Sequence, residues 1–196
     1  MARVKTVDPA DFAPQLAAMA GNPTSDQRVQ LGSLTVWANR PEVAAAFLRF
    51  QRTLDATTSL SLRLRELVRL RVAFHNQCRS CLAVRSSAAI DDGMTDAAVC
   101  SLQRPEEASD LTDAEKAALA YADLLATDHL SIDDTVFDRL RQHFDDAQII
   151  DLGVHIGVCI GFGRLAMSWD IVDDLPPAFQ HDHSTAVPWS TEAILR

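Results

Sequence analysis

The residues of this chain best suited to chemistry are two cysteines separated by two residues, Cys78 and Cys81. A thiol reacts as its thiolate, and a helix N-terminus favours the thiolate because its unpaired N–H groups carry partial positive charge. A polar break at residues 75–77 follows a helix-like segment, which predicts that Cys78 lies at the start of a second helix. Residues at i and i+3 share a helix face, so the two thiols are placed to form a disulfide and to open it again.

Three interpretations of this cysteine pair are open. In a chain without export features, Cys-x-x-C is typical first of a redox pair. Structural zinc is an alternative, but zinc normally takes four ligands, and His75, Cys100 and His155 have no recognised spacing. Two inert thiols are the third interpretation. We favour redox chemistry, and we expect no metal and no bound cofactor, because the chain also has no glycine-rich phosphate loop.

Glu66 is a candidate for proton transfer to and from a thiol. On a helical wheel it shares its side with three apolar residues, Leu62, Leu70 and Ala73. Burial raises a carboxyl pKa toward neutrality, which suits a group that exchanges protons near neutral pH. The alternative is a solvated Glu66 paired with Arg63 or Arg69 along the helix, a pair worth about 0.3 kcal/mol. Spacing alone favours the solvated pair.

The segment that carries these residues resembles a family signature. Arg65-Glu66-Leu67-Val68-x-Leu70-Arg71-Val72-Ala73, followed by Asn76-x-Cys78-x-x-Cys81, is similar to the motif of the AhpD-like, carboxymuconolactone decarboxylase superfamily. As in the alkylhydroperoxidase branch, the glutamate precedes the first cysteine by twelve residues. The resemblance extends over about residues 25–175. It implies that Cys81 attacks a peroxide, that Cys78 resolves the product as a disulfide, and that Glu66 serves in a proton relay.

Two positions depart from the pattern of the peroxidase branch. Arg85 stands where that branch usually has a histidine, and Ser80 where some members have another. Arginine stays protonated at neutral pH, so it cannot shuttle protons, although it stabilises a nearby thiolate. We expect the Arg85 guanidinium to point back toward Cys81 from one helical turn further on. His75 is a candidate substitute base; the alternative is a helix-end histidine that caps carbonyl groups.

Length and composition favour a single folded domain. The chain has 196 residues, of which 47% are hydrophobic, and we predict one domain over 1–196 with a core at about 25–175 and a tail at 176–196. The net charge of −9, with no basic run to offset it, argues against nucleic-acid binding. The N-terminus has no signal-peptide pattern, and the apolar stretch 152–167 is too short and too polar to span a membrane. We therefore expect a cytoplasmic protein without a membrane partner.

Hydrophobic periodicity predicts an all-α fold of about eight helices and no strand. Helices are expected over the following segments: 8–19, Gln27–Asn39, Pro41–Leu54, 59–74, Cys78 to about Gly93, a short one capped by Thr95, one opened by a Thr112–Glu115 capping box, Ser131–Phe144, and Ile149 to about Val172. Cys100 is expected to be buried and His155 to be a core histidine. The glycines between residues 153 and 163 indicate close helix–helix approach.

The sequence thus predicts a thiol-dependent peroxidase or disulfide oxidoreductase in antioxidant defence. Its partners are a hydroperoxide or disulfide substrate and an external thiol donor. The resemblance also implies a homo-oligomer, and the tail with His181, His183, Pro188 and Trp189 is expected to wrap onto a neighbouring subunit. Two alternatives stay open. One is a lactone decarboxylase or isomerase, whose relatives generally lack Cys-x-x-C; the other is a non-catalytic helical assembly protein, which Arg85 favours.

Overall fold

The computed structural model describes residues 2–180, 187–190 and 194–195. Within these residues there are twelve α-helices: α1 (Pro14–Met19), α2 (Arg28–Leu31), α3 (Leu34–Trp37), α4 (Pro41–Thr57), α5 (Leu62–Asn76), α6 (Arg79–Leu82), α7 (Ser87–Asp91), α8 (Asp96–Ser101), α9 (Asp113–Thr127), α10 (Asp134–Arg141), α11 (Asp146–Trp169) and α12 (Pro177–Gln180). Single turns of 3-10 helix lie at Pro9–Asp11, Ser25–Gln27, Pro105–Glu107, His129–Ser131 and Pro188–Ser190. The predicted all-α class is confirmed.

Helix α5 is the centre of the fold, because it packs against both α9 and α11. It begins where the Ser61 side chain accepts a hydrogen bond from the Leu64 N–H, and it ends at Gln77, whose φ is 51°. Its buried apolar residues join those of α8, α9 and α11 in the main core; those of α5 are Leu64, Leu67, Val68, Leu70 and Val72. A helix buried on so much of its circumference also holds in fixed positions the polar side chains that are buried with it, Glu66 and Asn76.

Helix α11 closes against the end of α5 through a glycine. A Cβ atom at Gly163 would collide with the Asn76 side chain. The Asn76 amide donates hydrogen bonds to the carbonyl oxygens of Cys159 and Ile160, at 2.9 and 3.3 Å. The predicted close approach is therefore confirmed at Gly163, and this contact fixes the chain two residues before Cys78.

Helix α11 is also longer than the apolar stretch predicted from the sequence. It has 24 residues, and an 18-residue window within it has a mean hydropathy of 1.6, so it is the one described helix that is long and apolar enough to cross a membrane. This criterion uses length and composition only, and core helices of soluble proteins meet it as well. In this fold α11 packs along α5 and α9.

Three predicted helices are broken in the structure. The segment 8–19 divides into the 3-10 turn Pro9–Asp11 and α1. The segment Gln27–Asn39 divides into α2 and α3 because Gly32 takes a φ of 50°. The second redox helix, predicted to continue to about Gly93, stops at Leu82. There the chain enters β1 (Val84–Arg85), which pairs in parallel with β2 (Ile194–Leu195). The prediction of no strand is therefore wrong for these two short elements, which depend on a partner more than 100 residues away.

Two helix ends also differ from prediction, each because of a cap. Helix α10 begins at Asp134 rather than at Ser131, because the Asp133 side chain accepts hydrogen bonds from the Thr135 and Val136 N–H groups. Helix α11 begins at Asp146, capped by Asp145, and ends at Trp169 rather than at about Val172, because Asp170 is left-handed with a φ of 54°. Caps predicted at Thr95 and Thr112 are confirmed.

Candidate functional site

Cys78 and Cys81 form a disulfide, with their Cα atoms 5.2 Å apart. Cys78 is the N-cap residue of α6, as the sequence predicted. The left-handed Gln77 turns the chain between α5 and α6, so the cysteines lie directly after the central helix. The two sulfurs differ in access, because Cys78 is fully buried and Cys81 is partly exposed. Only Cys81 is therefore open to attack from outside.

A pocket of about 320 Å³ opens onto Cys81. Its walls include an aromatic cluster in which Trp37 lies 5.3 Å from Phe47 and 4.9 Å from Phe162, measured between ring centroids. Among the described residues Arg69 is the only charged one in its walls. Pockets that bind small molecules are mostly apolar, with a few polar groups that fix orientation. The site therefore suits a small organic molecule held beside the Cys81 sulfur.

Glu66 is buried, with 4% of its surface exposed, and N–H groups of Arg69 and Ser86 donate to its carboxylate. Arg69 donates from Nε to Oε2 at 2.6 Å and from Nη2 to Oε1 at 2.8 Å. The Ser86 N–H donates to Oε1 at 2.9 Å. The predicted pairing with Arg69 is thus observed, but the expected solvation is wrong, because these donors take the place of water. They favour the ionised carboxylate.

Arg69 extends this network from Glu66 to the disulfide segment. Its Nη1 donates to the Cys81 carbonyl oxygen and its Nη2 to that of Val84, both at 2.7 Å. Burial disfavours the charged guanidinium, but the Glu66 carboxylate outweighs this effect and raises the pKa of Arg69. A fixed cation therefore sits beside Cys81. The sequence predicted Arg69 only as a surface partner of Glu66, because the two residues are three positions apart on one helix. The contact of Arg69 with Cys81 depends on tertiary structure, so the helix spacing could not predict it.

Arg85 does not lie one helical turn after Cys81, so that prediction is wrong. It belongs to β1, and its guanidinium donates to the carbonyl oxygens of Leu82 at 2.8 Å and Pro188 at 2.6 Å. Burial, reinforced by repulsion from Arg69, lowers the pKa of Arg85 to about 10, so it stays charged at neutral pH. These contacts give Arg85 the structural function of holding the segment after the disulfide against the C-terminal segment.

His75 belongs to a hydrogen-bonded cluster with Asp123 and Arg71. Its Nε2 lies 2.6 Å from Oδ1 of Asp123 on α9, and Arg71 donates to both oxygens of the same carboxylate, at 2.6 and 2.9 Å. Burial opposes ionisation of Asp123, but the hydrogen bonds from His75 and Arg71 outweigh it and lower the pKa of the carboxyl. The cluster fixes the end of α5 against α9. His75 is thus held at the contact between α5 and α9, and it is not among the described residues that line the Cys81 pocket.

A second cavity, of about 390 Å³, lies on the other side of Arg69. Glu66 and His155 line it, and it shares four lining residues with the first pocket, Gln51, Arg69, Val158 and Cys159. His155 Nε2 lies 2.9 Å from the Arg65 carbonyl oxygen, so this nitrogen carries the proton that it donates. Burial lowers the pKa of His155. The prediction of a core histidine matches this position.

The remaining predicted residues lie away from the disulfide or outside the described residues. Cys100 is exposed, so the prediction of a buried thiol is wrong; its Sγ lies 3.6 Å from the Trp189 carbonyl oxygen. Trp189 packs on Phe74, with ring centroids 5.0 Å apart. His181 and His183 fall outside the described residues. Within the part of the chain that the structure describes, no group of three or more histidine, cysteine or acidic residues is placed to hold a metal ion.

Comparison with known proteins supports the family assignment. The family model of the Carboxymuconolactone decarboxylase family matches residues 41–124, the segment that contains Glu66, Cys78 and Cys81. The structure is similar to the alkylhydroperoxidase AhpD core of an uncharacterized peroxidase-related protein from Ralstonia eutropha JMP134. The TM-score is 0.70 at 17% identity, over 91% of this chain and 94% of that one. The family model thus matches the predicted motif segment, less than half of the chain, and the solved structure shows that the helical fold is shared over most of it.

A second solved structure with this fold is the debrominase Bmp8, determined as a cysteine-to-alanine variant in complex with 2,3,4-tribromopyrrole. Its TM-score is 0.71 at 18% identity, over 92% of this chain and 95% of that chain. Identities this low show the shared fold alone.

Two sequence relatives lack an assigned activity. An uncharacterized protein of Mycobacterium tuberculosis H37Rv is 36% identical over 103 residues, which are 52% of this chain and 34% of that protein. The match therefore spans about a third of that relative. The uncharacterized protein YdfG of Bacillus subtilis is 25% identical over 131 residues, or 65% of this chain and 89% of its own length.

Proposed function

We propose that this AhpD-like protein is a thiol-dependent oxidoreductase that reduces hydroperoxides with the Cys78–Cys81 dithiol. The observation that carries the proposal is the disulfide itself, with Cys81 lining an apolar pocket and Cys78 buried behind it. Of the two sulfurs of the disulfide, a substrate entering the pocket meets that of Cys81. Cys78 is the proposed resolving thiol, because it is the residue that forms the disulfide with Cys81.

The reaction then has two steps on the reduced protein. The Cys81 thiolate attacks the outer oxygen of the hydroperoxide, the O–O bond breaks, and an alcohol leaves after taking up one proton. The Cys78 thiolate next attacks the sulfur of the Cys81 sulfenic acid and displaces hydroxide, which takes up a proton to become water, and the disulfide closes. An external dithiol reopens the disulfide by thiol–disulfide exchange and is itself oxidised. Without a hydroperoxide, the same dithiol reduces a partner's disulfide.

Arg69 and Glu66 support the Cys81 thiolate in this proposal. A cation beside a cysteine favours the thiolate, and Arg69 is fixed there by its hydrogen bond to the Cys81 carbonyl oxygen. Glu66 holds the guanidinium in place through two hydrogen bonds and remains the proposed relay carboxylate. Glu66 also lines the second cavity, which is large enough to hold water molecules. We propose that such water molecules exchange protons between Glu66 and the solvent.

The pocket favours an organic hydroperoxide over hydrogen peroxide. Its volume is about twice the roughly 150 Å³ of an apolar cavity known to hold benzene. Trp37, Phe47 and Phe162 offer apolar surface to a ring or a branched alkyl group. The charge of Arg69 is balanced by Glu66, so the walls give little attraction to an anionic substrate. We therefore propose a compact, neutral organic hydroperoxide as substrate.

Thiol titration with peptide mapping tests this function. The reduced protein is treated with a few equivalents of cumene hydroperoxide, and free thiols are counted before and after, then again after dithiothreitol. We expect the loss of two thiols per chain, mapped to Cys78 and Cys81, and their recovery with dithiothreitol. Cys81→Ser should abolish this loss. Thiols at Cys78 and Cys81 that persist in excess peroxide would support the non-catalytic assembly protein instead.

A further inference from the structure

Gln30 places an amide group in the wall of the pocket that opens onto Cys81. It lies on the short helix α2, in a wall that is otherwise largely apolar. The segment that matches the family model, 41–124, begins only after this helix. The motif in that segment therefore assigns no function to Gln30, although the residue faces the same space as the proposed reactive sulfur.

The two neighbours of Gln30 in the chain hold it in the pocket wall. Val29 packs against the same cluster of buried side chains as Cys81. Leu31 packs against a different cluster, formed with buried residues of α1 and α4. Because the residues on both sides are anchored in separate parts of the core, the backbone of Gln30 has a fixed place between them.

The side-chain oxygen of Gln30, Oε1, is buried and accepts no hydrogen bond from the part of the chain that the structure describes. The other buried side-chain atom without a partner there is Nε of Arg65, which is a donor. Buried polar atoms of folded proteins nearly always have a partner. Since Oε1 has no hydrogen bond to lose and the terminal torsion of glutamine is broad, the amide can turn toward a donor in the pocket at little cost.

The chemistry of a bound molecule decides whether this acceptor is satisfied. A hydroxyl group donates a hydrogen bond to an amide oxygen, whereas an ether or a dialkyl peroxide has no donor to offer. Such a molecule would fill the pocket and exclude water without replacing the hydrogen bond that water gives. Arg69, the charged residue in the described walls, has donors only, so it does not accept from a hydroxyl group in place of Gln30.

We propose that Gln30 is a specificity-determining residue whose Oε1 accepts a hydrogen bond from an O–H group of the molecule bound in the pocket. The pocket then selects neutral molecules that combine an apolar group with a hydroxyl or hydroperoxyl group over ethers and dialkyl peroxides of similar shape. Selection of a hydroperoxide as substrate rests on the proposed function, whereas the hydrogen bond itself does not, because binding requires no reaction.

The test measures binding to the protein with its Cys78–Cys81 disulfide closed, so that no turnover occurs. The two ligands are cumyl alcohol and cumyl methyl ether, which share the aromatic ring and the oxygen but differ in the O–H donor. Isothermal titration calorimetry gives their dissociation constants. We expect the wild type to bind the alcohol about tenfold more tightly than the ether, because the ether leaves a buried acceptor unpaired.

Three variants test whether this preference belongs to Gln30. Gln30→Met keeps the length of the side chain and removes the amide, so the preference should fall to about twofold or less. Gln30→Glu keeps acceptor oxygens and should retain the preference. Gln103→Met, at an exposed glutamine outside the pocket, should keep the wild-type ratio. The added methyl group of the ether is common to all these proteins, so comparing the ratios removes its effect.

A wild type that shows no preference for the alcohol, or a preference that persists in Gln30→Met, would overturn the proposal. Both results differ from failure of the proposed function, which thiol titration reports. A protein that oxidises its dithiol with peroxide but binds alcohol and ether equally would retain the function and exclude the role of Gln30. A protein with an unreactive dithiol and a preference that depends on Gln30 would retain this role and exclude the function.

Discussion

The guanidinium of Arg69 joins Glu66 to the backbone of Cys81. It donates two hydrogen bonds to the carboxylate, at 2.6 and 2.8 Å, and one to the Cys81 carbonyl oxygen at 2.7 Å. A planar guanidinium engaged on both sides has little freedom to move. Any influence of Glu66 on the thiol is therefore transmitted in part by Arg69, which the sequence motif did not single out.

Glu66→Gln should affect both stability and reaction rate. Glutamine keeps one acceptor oxygen but leaves the buried Arg69 charge without its partner, so we expect a loss of about 1–3 kcal/mol in the free energy of unfolding. Oxidation of the dithiol by peroxide should slow by roughly 100-fold, the usual scale for an acid–base group. Urea unfolding and stopped-flow thiol oxidation measure the two effects.

Glu107→Gln is the matched control for this substitution. Glu107 also forms an i, i+3 pair, with Arg104, but both side chains are about 70% exposed. Its loss should change stability by less than about 0.5 kcal/mol and leave the rate unchanged. If Glu66→Gln oxidised at the wild-type rate between about pH 5 and pH 9, Glu66 would be a structural residue only.

Arg85→Ala should weaken the fold without changing the reactivity of Cys81. The substitution removes the donors to the Leu82 and Pro188 carbonyl oxygens, and we expect a cost of about 1–3 kcal/mol. Hydrogen exchange at β1 and β2 should accelerate. The pH dependence of iodoacetamide alkylation of Cys81 in the reduced protein should superimpose on that of the wild type. A shift of the curve to higher pH would show that this guanidinium acts on the thiol.

The aromatic residues that line the pocket should make the protein prefer organic hydroperoxides over hydrogen peroxide. Phe47→Ala removes one wall, and we expect the KM for cumene hydroperoxide to rise by about tenfold, as lost apolar contact predicts. Kinetics with hydrogen peroxide should change little, because it does not reach the ring. Phe50→Ala is the control, since Phe50 lies on the same helix and is 46% exposed. An equal change for both peroxides in Phe47→Ala would contradict a binding function for the pocket.

His155 should make the fold sensitive to mild acid. Burial lowers the pKa of His155 below its ordinary value of 6.5, so the unfolded chain binds a proton more readily than the folded one. Its contribution to stability is therefore complete above pH 6.5 and is lost as the pH falls from there toward the folded pKa. Urea midpoints should fall between about pH 7 and pH 5, less so in His155→Gln. His129→Gln, at an exposed position, should keep the wild-type slope; an equal slope in His155→Gln would refute this origin.

Local patterns predicted the parts of the site that depend on neighbouring residues. The position of Cys78 at a helix start follows from the polar break between α5 and α6. Spacing, in contrast, favoured a solvated Glu66, and only the family resemblance gave this residue a role beside the thiols. The capping residues Thr95 and Thr112 were likewise visible, because a cap is formed within four residues.

The residues that were misplaced depend on distant partners. Arg85 leaves the helical pattern because β1 pairs with β2 and because its guanidinium meets Pro188, 103 residues away in the chain. His75 is occupied by Asp123, which is 48 residues away. A helical wheel contains no information about such contacts. The kink at Gly32 is different, since the glycine itself was visible and its positive φ is a common use of that residue.

The central claim, that Cys81 reduces the peroxide and Cys78 resolves it, is tested most directly by a single turnover with both products counted. Reduced protein carrying Cys100→Ser and Cys159→Ser is mixed with one equivalent of cumene hydroperoxide, and cumyl alcohol and the Cys78–Cys81 disulfide are quantified. For this parent protein we predict one molecule of cumyl alcohol per disulfide formed. With Cys78→Ser added, we predict one molecule of alcohol and a trapped Cys81 sulfenic acid. With Cys81→Ser added, we predict no alcohol. Alcohol formed by Cys81→Ser at the rate of its parent, or a dithiol that stays reduced, would contradict it.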